Sequence, residues 1–331
     1  MSIVKVENLY KEFKITKGKK GILSSFFNNE YEVKKAVNKI SFTINEGQIV
    51  GYIGPNGAGK STTIKMLTGI IVPTSGDILV NGLVPYKKRK EHAMNIGTVF
   101  GQRTQLWWEL PVADSLNLLK YIYKVPEKVY RKNLELFNDT LGLKEFINQP
   151  VRQLSLGQRM RADFAASLIH SPKILFLDEP TIGLDIIAKE KIRDFIKIIN
   201  REDKVTVILT THDIGDIEKL CNRTIIIDKG EVVYEGNLEA MKDTLGKYRT
   251  LVVDIKEKNF SLEIDNIELV NEVGPRKWLR FNKEYISPSQ IIAELMMKYE
   301  VVDLTVEEPD IEEIIKQIYQ SSHNKNLEVN V

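Results

Sequence analysis

The run Gly54, Pro55, Asn56, Gly57, Ala58, Gly59, Lys60 and Ser61, followed by Thr62, has the residue types and spacing to hold phosphate. Its Gly-x-x-x-x-Gly-Lys-Ser pattern lies between an apolar run at 48–53 that reads as a strand and a helical run at 61–67, the context the chemistry requires. Glycines let the backbone curl so that N–H groups point inward, and the helix beginning at Lys60 adds the positive end of its dipole. Pro55 has no N–H, so the amides from Gly57 to Thr62 make the cradle. Lys60 supplies a mobile charge, and the Ser61 hydroxyl suits a magnesium ion. The fitting guest is a polyphosphate, which kinases, GTPases and motors all use; the plainer alternative is a glycine-rich turn that only caps a helix.

Two further clusters end apolar runs. Residues 173–177 lead into Asp178, Glu179 and Pro180, and residues 205–209 lead into Thr210, Thr211, His212 and Asp213. Fully apolar strands with polar ends mark a buried parallel sheet whose chemistry collects at the carboxyl edge. Asp178 at such an edge, facing the phosphate loop, suits a direct or outer-shell hold on the magnesium that Ser61 also touches. Glu179 is then placed to polarise an attacking water, because phosphoryl transfer needs an aligned nucleophile more than covalent help. The alternative is a solvated strand end.

The elements that must position these groups follow from periodicity. Strands read at 3–9 (as an edge strand), 40–44, 77–80, 96–100, 224–227 and 231–234, and helices at 187–201 and 214–220. From 112 to 147 apolar residues recur every three or four positions, a helical subdomain over about 103–165. It ends on Leu154, Ser155, Leu156, Gly157 and Gln158, with Ser155 a good N-cap for a helix to about 170. Residues 16–35 carry Lys17, Lys19 and Lys20 beside an apolar group and read as an insertion, packed on its own domain by default or touching a membrane surface as the alternative. Beyond 246 short alternating strands (250–255, 267–270, 277–281, 301–306) mix with helices at 288–299 and 311–320, a small α+β domain over 246–321, with 322–331 a frayed tail.

Composition narrows the partners. At 331 residues the chain has room for two domains. With 47 basic and 45 acidic side chains its net charge is +2, which makes no case for nucleic acid or a membrane. Apolar runs fall far short of the roughly 20 residues that cross a bilayer, and no signal-peptide pattern opens the chain, so a soluble, cytosolic protein is expected. Cys221 is the single cysteine, which excludes an internal disulfide; its apolar surroundings suit a buried structural thiol.

With the phosphate loop, Gln102, Leu-Ser-Leu-Gly-Gln at 154–158, Leu-Asp-Glu-Pro at 177–180, Gly-Leu-Asp at 183–185 and Thr-His-Asp at 211–213 in order, the chain resembles the nucleotide-binding subunits of ABC transporters. The resemblance covers about 1–245, and the stretch from Val99 through Trp107 and Trp108 to Pro111 is similar to a subgroup of uncharacterised bacterial ABC-2-type export ATPases. It implies an α/β fold: a P-loop NTPase core of mostly parallel sheet flanked by helices, with an antiparallel β subdomain and a helical subdomain. The C-terminal α+β domain resembles accessory domains of such exporters. ATP and Mg2+ are the implied cofactors.

The resemblance also assigns roles. Glu179, His212 and Gln102 would be catalytic, His212 sensing the γ-phosphate and Gln102 reaching the magnesium or water and reporting nucleotide state; Ser61, Asp178 and Gln102 would serve the metal. Ser155, Gly157 and Gln158 match a signature that acts across a dimer, though Leu156 stands where the family has glycine. Asp185 would bridge the two sites, with a helix N-cap as its alternative. Phe13 best fits the aromatic that stacks on adenine, with Tyr10 and Tyr31 as alternatives. Trp107 and Trp108 are either core or the wall of a groove for a short helix of a membrane partner.

One set of motifs implies an ATP-driven dimer, for which a homodimer suffices; the resemblance implies a separate transmembrane permease as partner, no nucleic acid, and a cytoplasmic protein peripheral on the inner face of the membrane. The competing class, a soluble ABC ATPase of translation or DNA repair, would carry two cassettes or a long coiled-coil insertion; this chain has one cassette and a short helical subdomain between 61 and 154.

Overall fold

The structure, a computed structural model, describes residues 1–16, 31–101, 103–257, 260–261, 264–308 and 311–328, with backbone alone at 243–245 and 322–328. Gln102 and most of the lysine-rich insertion, 17–30, lie outside the described residues. The chain divides into two compact units, Met1–Glu235 and Gly236–Val331.

In the first unit β1 (Ser2–Thr16) and β2 (Tyr31–Asn45) precede β3 (Ile49–Ile53), α1 (Lys60–Leu67), β4 (Ser75–Val80), α2 (Arg89–Ala93) and β5 (Ile96–Phe100). The helices α3 (Val112–Ile122), α4 (Glu127–Leu141) and α5 (Leu156–Leu168) follow. The unit ends with β6 (Ile174–Asp178), α6 (Ile186–Asp203), β7 (Thr206–Thr210), α7 (Ile214–Leu220), β8 (Arg223–Asp228) and β9 (Glu231–Asn237), the last crossing into the second unit.

The main sheet has the order β5-β6-β7-β3-β8-β9, with β5, β6, β7, β3 and β8 parallel. Its inner strands β6, β7 and β3 are largely apolar and buried, with Tyr52, Phe176, Ile208 and Ile225 in one cluster with Ile64 and Met66 of α1. Parallel register sets Phe100 beside Asp178 and Asp178 beside Thr210, so the polar strand ends form one edge. Across the helical subdomain Phe137 of α4 and Phe164 of α5 both meet Phe195 of α6 edge-on, at 5.9 and 6.1 Å. Cys221 is buried, and burial pushes its thiol far above its usual value, as a structural role requires.

Some expectations change. The first strand is not an edge: β1 is the middle of the antiparallel sheet β2-β1-β4 and runs on to Thr16. The expected insertion at 16–35 therefore shrinks, since Thr16 pairs with Tyr31 and Lys14 with Val33 inside the β1–β2 ladder. Phe13 and Ile15 alternate with Lys14 and Thr16, as Tyr31 and Val33 do with Glu32 and Lys34, but these apolar side chains stay exposed and the lysine-rich stretch between the two runs breaks the alternation. α2 lacks apolar periodicity and is not legible beforehand.

In the second unit α8 (Leu238–Leu245), β10 (Tyr248–Ile255), β11 (Ile267–Val273), β12 (Arg276–Asn282), α9 (Pro288–Lys298), β13 (Val301–Glu307) and α10 (Ile311–Glu328) follow. The antiparallel sheet β11-β12-β10-β13 turns Leu251, Val253, Leu279 and Phe281 inward against Ile291 and Leu295 of α9. A Ser287–Gln290 capping box with Pro288 in the first turn starts α9. The unit begins before the expected boundary at 246 because α8, capped by Asn237, packs with α10. The tail expected to fray from 322 is helical as far as Glu328: no glycine or proline follows Gln320 to stop it.

Candidate active site

The phosphate loop leaves β3 and enters α1. Its glycines are fixed by two constraints: Gly57 and Gly59 have φ of 84° and 105°, and a Cβ on Gly59 would lie 2.3 Å from the Ala36 carbonyl oxygen. Gly59 is the N-cap of α1 and brings no side chain, and the first turn holds no acid. Its amides are thus left to a guest anion. Lys60 is only 6 % exposed, and its Nζ donates to the carbonyls of Gly54 (2.6 Å) and Pro55 (3.2 Å). Burial pulls the Lys60 ammonium below its usual value, while the charges of Glu179 and Asp178 push it back up.

The carboxyl edge of the sheet closes over this loop. Ser61 Oγ donates to Asp178 Oδ1 at 3.2 Å, and Thr210 Oγ1 donates to the same oxygen at 2.5 Å. Two hard oxygens 3.2 Å apart fit magnesium: neighbouring ligands around it, about 2.05 Å from the ion, are ~2.9 Å apart. Glu179 Oε1 lies 3.5 Å from His212 Nδ1. The two side chains end adjacent strands, and an acceptor beside an imidazole at the mouth of a phosphate cradle can orient a water.

Glu179 also shows what residue patterns missed. Its φ is 54°, a left-handed conformation rare for a residue with a Cβ. The Glu179 N–H donates to the Thr210 carbonyl at 2.9 Å, and the Gly101 N–H donates to the Asp178 carbonyl at 2.9 Å. A Cβ on Gly101 would lie 2.1 Å from the Glu179 carbonyl oxygen. Gly101, directly before Gln102, is glycine because the acid's own backbone fills the space; Thr210 and Gly101 join the site on this geometry. Their signal was position alone, each at the end of an apolar strand.

A cleft of about 480 Å³ opens on the loop, lined among others by Phe13, Asn56, Gly57, Lys60, Thr62 and Glu179. Phe13 is part of this wall; Tyr10 bonds Glu12 instead, and Tyr31 is exposed opposite Thr16. Ser155, Gly157 and Gln158 do not line the cleft.

Those three belong to the start of α5. Ser155 Oγ accepts from the Gln158 N–H (3.2 Å) and the Gln158 side chain accepts from the Ser155 N–H (2.9 Å), a complete capping box. Leu156 is half-exposed, and its Cδ2 lies 3.2 Å from where a Cβ of Gly183 would sit. Asp185 caps α6, its Oδ1 accepting from the Ala188 N–H at 2.8 Å. Within α5, Asp163 accepts from Thr104 Oγ1 (2.8 Å) and the Gln105 N–H (3.1 Å), which ties the segment after Gln102 to this helix; burial raises its carboxyl to about 6. Trp107 and Trp108 are 40 and 48 % exposed, so neither is core, and the Arg159 guanidinium lies 5.6 Å over Trp108.

Comparison with known proteins follows this geometry. A family model described as "ABC transporter" matches residues 37–182. The ABC transporter ATP-binding protein NatA of Bacillus subtilis is 34 % identical over 66 % of this chain and 88 % of its own. The linearmycin resistance ATP-binding protein LnrL of the same organism is 30 % identical over 86 % of this chain and 93 % of its own. Among solved structures, a dimeric ATP-binding cassette in a post-hydrolysis state bound to ADP and Pi is 31 % identical, with a TM-score of 0.58 over 71 % of this chain and 98 % of that one.

Proposed function

The chain belongs to the ATP-binding proteins of ABC transporters and is an ATPase, and on that premise we propose that it drives an ABC-2-type export system through a separate permease. The observation that carries the reading is the split site: Lys60, Ser61, Asp178, Glu179 and His212 meet at one edge of the sheet, whereas Ser155, Gly157 and Gln158 lie elsewhere. A second copy supplies the missing half.

ATP enters the cleft with its adenine on Phe13 and its phosphates on the α1 amides, and Lys60 exchanges the Gly54 and Pro55 carbonyls for phosphate oxygens. Ser61 and Asp178 would hold a magnesium ion, with Gln102 as the further ligand that the family resemblance implies, and that ion would neutralise phosphate charge. Glu179 orients the attacking water, His212 touches the γ-phosphate, and the partner copy's signature covers it from the other side. ATP binding and dimer closure then strengthen each other by linkage, and hydrolysis reopens the pair.

No helix among the described residues is long and apolar enough to cross a membrane. On this reading a permease would hold the protein at the inner face of the membrane, with exposed Trp107 and Trp108 flanking the groove for one of its short helices. Relatives' names support this: LnrL is an ATP-binding protein of linearmycin resistance. The test is Glu179→Gln, which should hold an ATP-bound dimer by light scattering at saturating ATP and magnesium; a monomer under those conditions ends the mechanism. The membrane protein that co-purifies would name the partner.

A further inference from the structure

Beyond residues 178 and 210 the β6–β7 ladder ends, and the segments that carry Glu179 and His212 continue as irregular backbone. One side chain joins them again. Asp216, on α7, is wholly buried. Its Oδ2 accepts from Thr181 Oγ1 at 2.5 Å and from Thr211 Oγ1 at 3.3 Å. Its Oδ1 accepts from Arg193 Nε at 2.7 Å and Nη2 at 2.5 Å. Thr181 is two residues beyond Glu179, Thr211 directly precedes His212, and Arg193 stands on α6, the helix that Asp185 caps.

We propose that Asp216, held by Arg193, is a positioning residue that sets the spacing of Glu179 and His212 through the hydroxyls of Thr181 and Thr211. The inference rests on Glu179 being the group that orients water. Both carboxylate oxygens are occupied by donors from three segments, so the joint has a defined geometry rather than a diffuse attraction. Among the described residues, Asp216 Oδ2 is the one atom that both the Thr181 and Thr211 hydroxyls reach. The alternative, an ion pair that merely fastens α7 to α6, needs Arg193 and Asp216 but neither threonine hydroxyl.

That difference makes the test. Thr181→Val removes one hydroxyl and leaves the Arg193–Asp216 pair intact, so the full chain should fold. We expect hydrolysis at saturating ATP and magnesium to fall roughly tenfold, because a small misplacement of the aligning group is costly. The KM for ATP should stay within about twofold, and Thr181→Ser should restore the rate. A native rate in folded Thr181→Val, with only the melting temperature lowered, overturns the proposal. If Thr181→Val fails to fold, Thr211→Val is read the same way: a lowered rate at unchanged KM supports the joint, and an unchanged rate overturns it. Glu179→Gln in the same assay separates the two layers. Should it hydrolyse as the native chain does, the assignment of Glu179 fails; should it be inactive while both valine variants turn over normally, only the positioning role fails.

Discussion

Two helix N-termini are proposed to meet one γ-phosphate, and they are built in opposite ways. α1 starts on a glycine with no side chain and leaves its amides unclaimed. α5 starts on Ser155 inside a closed capping box, where Gln158 and Ser155 satisfy each other. Neither first turn carries an acid, so both dipole ends remain positive toward an anion. The difference assigns the labour: α1, with Lys60 beside it, can bind polyphosphate alone, whereas α5 is already satisfied and has no need of a ligand to be stable. Ser155 Oγ acts as an acceptor in the box, which leaves its O–H free to donate across a dimer.

The largest effect should come from the open end. Lys60→Met removes the charge next to the cradle and should weaken nucleotide binding on the order of a hundredfold, measured with a fluorescent ATP analogue. Native affinity in this variant would erase the contrast. The closed end should behave differently. Ser155→Ala loses the cap, about 1 kcal/mol, or roughly 2–4 °C in melting temperature for a unit of this size, and hydrolysis should fall while binding holds. Ser155→Asn sharpens the point, since asparagine also caps: stability should return and hydrolysis should not. If Ser155→Asn turns over normally, the serine is only a cap.

A separate effect, on stability alone, is a titration that α5 has through Asp163. Burial holds its carboxyl at about 6, above the 3.8 of a free aspartate, so the folded chain binds this proton more tightly. The stability it contributes is complete below that free value and is lost as pH rises through about 6. Relative to Asp163→Asn, the native chain should therefore lose at most about 3 kcal/mol across that window, read by denaturant melts on either side of it. Parallel curves would place Asp163 in a wetter setting than its hydrogen bonds indicate.

What was legible beforehand sorts along the same lines. The loop at 54–62, Asp178, Glu179 and His212 show in the sequence because each is a residue type at a fixed distance from an apolar run. Ser155 shows because capping is local. The β1–β2 ladder beyond Leu9 did not, since its alternating Phe13 and Ile15, and Tyr31 and Val33, are short runs separated by a lysine-rich stretch and are paired by a register that only the fold displays. α8 has a capping Asn237 but follows a strand directly. Gly101 and Thr210 depend on how close two backbones come, and spacing along one chain does not encode that distance. The second unit was readable element by element, as antiparallel alternation is, yet it displays no comparable set of chemical residues at a strand edge.

The left-handed backbone of Glu179 sets stability against the role proposed for this residue. Such a conformation costs a residue with a Cβ about 1–2 kcal/mol, and glycine would adopt it freely. Glu179→Gly should therefore melt no lower than the native chain, and be up to about 1 kcal/mol more stable once the greater freedom of the unfolded glycine is subtracted. On the role proposed for Glu179, it should not hydrolyse ATP. At this position durability and the proposed turnover pull in opposite directions: the backbone favours glycine, and orienting a water needs the carboxylate.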